Sequence, residues 1–143
     1  MNYLYFNVNF AIKEHDYIIQ NSGGLMGIIN KGQLEATLDL VQNDGYYNTI
    51  EEKASYLFYA INKNHCFQDG NKRASIALTA YFLELNGLGF IVGKFIRDME
   101  NIAVDVANNI IDRDLLFEII QSFIYEQDYS EGLKLKIFNA KSC

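Results

Sequence analysis

Residues 74–85, ASIALTAYFLEL, are apolar at nearly every position, with only Ser75, Thr79 and Glu84 interrupting. A helix that is apolar all round must be enclosed by other elements. Its longest apolar stretch, residues 76–83, is too short to span a bilayer. The pattern therefore predicts a helix over about 70–86 at the centre of a mainly helical domain. The rest of the chain can enclose it: half of the 143 residues are hydrophobic and 14% are aromatic, which suits one domain with a sizeable core.

The flanking segments supply the enclosing layers. Asn7 or Asn9 reads as the cap of a helix over about 8–21, which exits at Gly23–Gly24. A second helix is predicted over about 31–42, with Leu34, Leu38 and Val41 on one face. A third covers about 50–63, where Ala54, Leu57, Phe58 and Ile61 recur at helical spacing. Further helices are expected over about 95–109 and 113–127. Strand-like segments are expected at NYLYF near the start, GLGFIV at 87–92 and GLKLKIFN at 132–139, the last alternating Leu133, Leu135 and Ile137 with Lys134 and Lys136. NDGYYN at 43–48 reads as a turn or short hairpin. The expected architecture is mainly α, one domain, with a small β-hairpin or strand element at its edge and residues from about 130 as a C-terminal extension.

The net charge is −6 and the sequence pI about 4.8. An acidic chain is a poor nonspecific binder of nucleic acid, so direct nucleic-acid partners are not expected. No signal pattern or membrane span is read in the sequence, and a cytoplasmic protein is expected. The cysteines, Cys66 and Cys143, form no disulfide framework, and with His15 and His65 they give no zinc spacing.

Immediately before the central helix stands HCFQDGNKR, residues 65–73. A helix N-terminus carries unpaired N–H groups and a partial positive charge. Lys72 and Arg73 are misplaced there by about 0.3–1 kcal/mol each, unless they point into water or an anion sits between them. Gly70 lets the backbone turn and approach a ligand closely, and Asn71 can donate to a phosphate oxygen. Arg73 can pair bidentately, and Lys72 can add charge. Asp69 would repel phosphate unless it holds Mg²⁺. His65 is the nearby side chain able to take a proton near neutral pH. Together these residues read as phosphoryl or nucleotidyl transfer.

HCFQDGNKR closely resembles the signature of the Fic/Doc family: His, any residue, Phe, any residue, acidic, Gly or Ala, Asn, Gly or Lys, Arg. The likeness extends to HDYIIQNSGGLMGIINKGQLEATLDLVQ at 15–42 and to KASYLFYAINKNHCFQDGNKRASIALTAYFLELNG at 53–87. The resemblance implies a compact helical toxin fold, usually encoded beside a small antitoxin. It implies ATP or another NTP with Mg²⁺ as cofactors and a protein hydroxyl as acceptor. By position, His65 would be the base, Asp69 the metal ligand, and Gly70, Asn71, Lys72 and Arg73 the phosphate cradle. Doc-like members move the γ-phosphate, onto a translation elongation factor, whereas Fic members transfer AMP. Lys72 in place of the Fic glycine, and Ile76 where Fic members carry a second Arg, favour the Doc reading. Gly70 is the Fic-like choice. In the family a short flap holds the target by strand addition, and Tyr46 and Tyr47 in NDGYYN would suit that role.

Plainer readings stand beside these. His65 could belong to the apolar face of the preceding helix, Asp69 could be a helix cap, and Lys72 and Arg73 could be solvated charges. Tyr46 and Tyr47 could lie in a simple surface turn. His15 reads as structural, Cys66 as an inert neighbour of His65, and Gly23, Gly24 and Gly27 as turn residues. SFIYEQ at 122–127 is close to a self-inhibitory pattern through Glu126, but an amphipathic core helix explains it better. The alternative from another class is a catalytically silent protein that binds an antitoxin.

Overall fold

The computed structural model describes residues 2–142; Cys143 lies outside them. Seven helices follow one another: α1 Val8–Ser22, α2 Lys31–Leu40, α3 Ile50–Lys63, α4 Asn71–Leu85, α5 Gly89–Ala107, α6 Arg113–Tyr125 and α7 Glu131–Lys141. The mainly helical class expected from the patterning is the one observed.

α4 is the axis. Ala74, Ser75, Ile76, Leu78, Thr79, Ala80, Phe82 and Leu83 are all buried. α3 and α5 cover it most extensively, with α1 on another side. Phe58, Phe82 and Phe95 are fully enclosed, each contributing roughly 2–3 kcal/mol on burial. Asn62 of α3 donates through Nδ2 to the Ala103 carbonyl of α5 at 3.0 Å. Lys63 donates to the last carbonyls of α5, Val106 and Ala107, at 3.3 and 3.5 Å, where a cation complements the helix end.

The expected strand element is absent among the described residues, which contain one isolated antiparallel bridge, Ile28 to Phe67. Each of the three segments has its own reason. Residues 2–6 form no regular element and pair with no strand. Instead Asn86 brackets Leu4, its Oδ1 accepting from the Leu4 N–H at 2.9 Å and its Nδ2 donating to the Leu4 carbonyl at 3.0 Å. GLGFIV opens α5: Ile91 and Val92 pack against the core with Phe95 and Met99, a helical series that continues to Ile102. The tail is helical because a strand needs a partner edge, while a helix closes its own hydrogen bonds. Ser130 caps α7 by accepting from the Leu133 N–H, and Leu133, Ile137 and Ala140 face the core while Leu135 is exposed. Salt bridges from Lys136 to Glu118 at 2.8 Å and from Lys141 to Asp105 at 3.1 Å hold α7 to its neighbours.

NDGYYN is a turn and not a hairpin: the Tyr46 and Tyr47 N–H groups both donate to the Asn43 carbonyl, at 3.1 and 2.9 Å. A buried cation fastens it. Lys53, with no exposed surface, donates to the Val41 carbonyl and to Asp44 Oδ1, both at 2.8 Å. Its ammonium also faces the Tyr3 and Tyr5 rings at 5.7 and 5.5 Å, which ties the N-terminal segment to the same point. Burial opposes the charge, but hydrogen bonds to Asp44 and Tyr5 and their attraction carry the Lys53 pKa above its ordinary value.

Candidate active site

The loop between α3 and α4 gathers its residues in two layers. Cys66 and Phe67 point inward and are buried; His65 and Gln68 face solvent. His65 follows Asn64, the C-cap of α3, with φ +50°, the left-handed region. For a residue with a Cβ this conformation costs about 1–2 kcal/mol, and the turn it makes sends the imidazole outward to solvent. His65 therefore does not lie on the apolar face of α3. Burial pushes the Cys66 thiol up, which suits an inert core residue and no nucleophile.

Asn71 does not spend its amide first on an open site. Its Oδ1 accepts from the Phe67 N–H at 3.1 Å and its Nδ2 donates to the Phe67 carbonyl at 3.0 Å. It is the clasp of the loop, and only the second Nδ2 hydrogen is left for a ligand.

Gly70 precedes α4 with φ +77°, and no side chain caps the helix. Asp69 is therefore not a side-chain cap of α4. Its Oδ1 accepts from the Gly70 N–H at 2.8 Å, and its Oδ2 from the Leu25 N–H at 3.1 Å. The Leu25 and Gly70 hydrogen bonds, with lesser help from Arg73 and Lys72, hold the carboxyl below its ordinary pKa. An ionised carboxylate with lone pairs remaining fits one ligand position of Mg²⁺. Among the described residues no group of three or more His, Cys, Asp or Glu could hold a metal. A nucleotide-borne Mg²⁺ does not need one, since phosphates and water complete its shell.

Arg73 donates through Nη1 to Ser22 Oγ at 2.5 Å and to the Gly23 carbonyl at 2.8 Å. It thus caps the end of α1 and spans from there to the start of α4. Lys72 is exposed. A groove of about 460 Å³ runs beside these cations, lined by Ile18, Ile76, Ile96, Val104 and their neighbours.

The segment after α1 closes the other side. The Ile29 and Asn30 N–H groups donate to the Cys66 carbonyl at 2.7 and 3.0 Å, and the Gln68 N–H donates to the Gly27 carbonyl at 3.0 Å. Gly24 is required here: its φ is +120°, and a Cβ would fall 2.7 Å from Asp69 Oδ2. These glycines are turn residues, as expected, but the turn packs against the motif loop. Leu25, Met26 and Ile29 are exposed on it. Spacing along the sequence could not reveal this closeness, because 44 positions separate Leu25 from Asp69.

Tyr46 and Tyr47 lie elsewhere. Tyr47 stacks on Tyr56 with centroids 4.3 Å apart, and its hydroxyl accepts from Arg113 Nη2 at 2.6 Å. Tyr46 is exposed. The segment paired with the motif loop is 27–30, not 43–48. Glu126 is also remote. Tyr125 next to it donates to Glu51 at 3.0 Å, in the first turn of α3, whereas the motif follows the last turn. α3 spans about 20 Å at 1.5 Å per residue, so Glu126 does not reach Arg73 in this structure.

A family model described as the Fic/DOC family matches residues 5–83, more than half of the chain and all of the motif. The chain belongs to the Fic/Doc family. Over 78 residues it is 37% identical to the protein kinase doc of Escherichia phage P1, covering 52% of this chain and 61% of that protein. Over 105 residues it is 28% identical to the toxin Doc of Mycolicibacterium smegmatis, covering 71% of this chain and 81% of that protein. The chain thus spans less than two thirds of the phage relative it matches, and within the Fic/Doc family it is Doc-like. Among the described residues no helix is long and apolar enough to cross a membrane.

Proposed function

We propose that this Fic/Doc protein is a Doc-like toxin that transfers the γ-phosphate of ATP, bound with Mg²⁺, to a serine or threonine hydroxyl of a cytoplasmic protein such as a translation elongation factor. The observation that carries the reading is the start of α4. It has no side-chain cap, it carries Lys72 and Arg73 in its first turn, and an ionised carboxylate stands beside it. Two cations at the positive end of a helix oppose its dipole, and a metal-bound polyphosphate there would answer the helix end, the cations and the carboxylate together.

Within this reading each residue has a task. The backbone N–H groups after Gly70 and the charges of Lys72 and Arg73 hold the phosphates. The second Nδ2 hydrogen of Asn71 donates to a phosphate oxygen. Asp69 holds the Mg²⁺, which supplies charge neutralisation of the phosphates. His65, outward-facing on its left-handed turn, accepts the hydroxyl proton as the oxygen attacks phosphorus. Transfer makes the O–P bond to the acceptor, breaks the bond to ADP, and leaves the proton on His65 for return to solvent.

Strand addition by the target, which the family resemblance implies, is better supported at 25–29 than at Tyr46 and Tyr47. That segment has one edge hydrogen-bonded to the motif loop and carries exposed apolar side chains. Kinship with a protein named as a toxin supports a small antitoxin as partner.

The same cradle could present the α-phosphorus and transfer AMP, and Gly70 is the residue that favours this second reading. The test uses purified protein, a bacterial lysate and Mg²⁺, with ATP labelled at the γ or the α position and a His65→Ala control beside each. Label on a protein from γ-ATP alone is the expected result. Label from α-ATP overturns the kinase reading in favour of AMP transfer. No His65-dependent label from either leaves the antitoxin-binding alternative.

A further inference from the structure

His15 occupies the middle of the buried stripe of α1, between Ala11 and Ile19, 54 positions from Asp69. Its ring lies flat against Phe67, with centroids 3.9 Å apart and planes 6° from parallel. Only 1% of it is exposed. Its Nε2 sits 2.5 Å from the Asp69 carbonyl oxygen. A carbonyl can only accept, so Nε2 carries the proton and the other nitrogen does not need one. Nδ1 is buried with no hydrogen-bond partner, and the nearest acid, Asp16, stands 3.8 Å away.

The carbonyl that His15 grips and the Gly70 N–H belong to one peptide unit. A peptide unit is rigid and planar, so fixing its oxygen fixes its N–H. That N–H is the donor to Asp69 Oδ1. The chain of contacts runs from a buried ring, through one peptide plane, to the carboxylate. Gly70 leaves room for this grip, because a Cβ there would meet His15 Nε2 at 3.4 Å and Ile19 Cδ1 at 3.1 Å.

We propose that His15 is a positioning residue that sets the direction of the Asp69 carboxylate by hydrogen bonding the Asp69–Gly70 peptide from beneath. The assignment of a task to that carboxylate rests on the reading of Asp69 as the Mg²⁺ ligand. The phenylalanine ring of the motif is then the surface against which the imidazole is held flat. A packing role alone would need the ring but not the proton on Nε2.

His15→Phe and His15→Gln separate the two roles. The first keeps a stacked ring without a donor; the second keeps a donor at about the reach of Nε2 without the ring. Three readouts are taken on the full chain. Nitrogen-15 spectra of the wild-type imidazole should show the Nε2–H tautomer. The Gly70 amide should exchange with solvent about tenfold faster in His15→Phe, while buried amides in the middle of α4 keep their protection. The Mg²⁺ concentration for half-maximal label transfer should rise about tenfold or more in His15→Phe, as expected for a ligand group moved by a fraction of an ångström. His15→Gln should restore the last two readouts to within about threefold of wild type.

An Nδ1–H tautomer overturns the proposal. So does a His15→Phe protein with wild-type Gly70 protection and Mg²⁺ dependence. If His15→Phe does not fold, the tautomer and the His15→Gln values decide. If the wild type transfers no label, the assigned reaction fails, while the tautomer and the exchange rates still decide whether His15 holds this peptide.

Discussion

The N-termini of α3 and α4 are built to opposite plans within one pair of packed helices. Thr49 caps α3 by accepting from the Glu52 N–H, Glu52 reaches back to the Thr49 N–H, and Glu51 and Glu52 stand in the first turn. Every one of these features satisfies an exposed donor or complements the dipole. α4 has no capping side chain, no acid in its first turn, and Lys72 and Arg73 instead. α5 also lacks a side-chain cap, but its first turn carries no such cations. The absence of a cap alone thus marks nothing. In the proposed reading, the absence of a cap together with first-turn cations, a left-handed glycine and a backbone-bonded carboxylate marks a helix end left open for an anion.

The difference can be broken from either side. The largest effect is expected from Gly24→Ala. Its Cβ would collide with Asp69 Oδ2 and approach Arg73 Nη2 to 3.0 Å, at a φ of +120° that side chains rarely adopt. Strain of about 1–3 kcal/mol should lower the melting temperature, and displacement of the carboxylate should reduce label transfer by about a hundredfold. A variant with wild-type transfer would show that the glycine turn is not part of the site.

Next comes Lys53→Met, which keeps the volume but removes the cation under the 43–48 turn. It leaves the Val41 carbonyl without its partner, a loss of about 1–3 kcal/mol, to be read by urea denaturation. Nucleotide affinity, measured by calorimetry, should not change, because this buried cation serves the fold alone.

Thr49→Ala should lose about 1 kcal/mol of stability, again without change in nucleotide affinity. Lys72→Glu should do the reverse. Replacing a cation by an anion in the first turn of α4 should add about 0.5–1 kcal/mol of stability while weakening ATP–Mg²⁺ binding. If Lys72→Glu lowered both, the charge at this position would be structural and the contrast between the helices would fail.

The smallest effect is on acid denaturation. The folded Asp69 carboxyl lies below its unfolded value of 3.8, so its contribution is present above that pH and is lost as pH falls through the lowered folded value. Asp69→Asn should therefore remove part of the stability difference between neutral pH and pH below about 4, followed by circular dichroism. An unchanged acid profile would mean that the Leu25 and Gly70 hydrogen bonds do not bias this carboxylate.

Several elements were legible because their signals are local. The cap at Asn7 and the helices at 8–22, 50–63 and 71–85 follow from spacing and punctuation. The tail departs from the strand expected of it because Leu133, Leu135 and Ile137 alternate with lysines, and a period of two cannot by itself tell a strand from a helix that buries only one narrow face. GLGFIV departs from the strand expected of it because its β-branched residues sit at the start of a helix whose later turns supply the packing. The sequence gives His15 a structural reading but no sign that it neighbours Asp69, since nothing in its own surroundings in the chain points there.

The residue types in HCFQDGNKR determined, without any coordinates, that a carboxylate, a flexible glycine and two cations would meet at the start of the most apolar helix. Composition along 74–85 determined that this helix would be central. Only the tertiary structure decided which distant groups complete the site. Leu25 bonds the carboxylate, Ser22 and Gly23 occupy part of Arg73, and His15 holds the Asp69–Gly70 peptide. The reason is physical. Helix ends and buried faces are set by neighbours within a turn or two of the chain, whereas these contacts depend on the packing of α1 across α4, which brings together groups that sequence separation keeps unrelated.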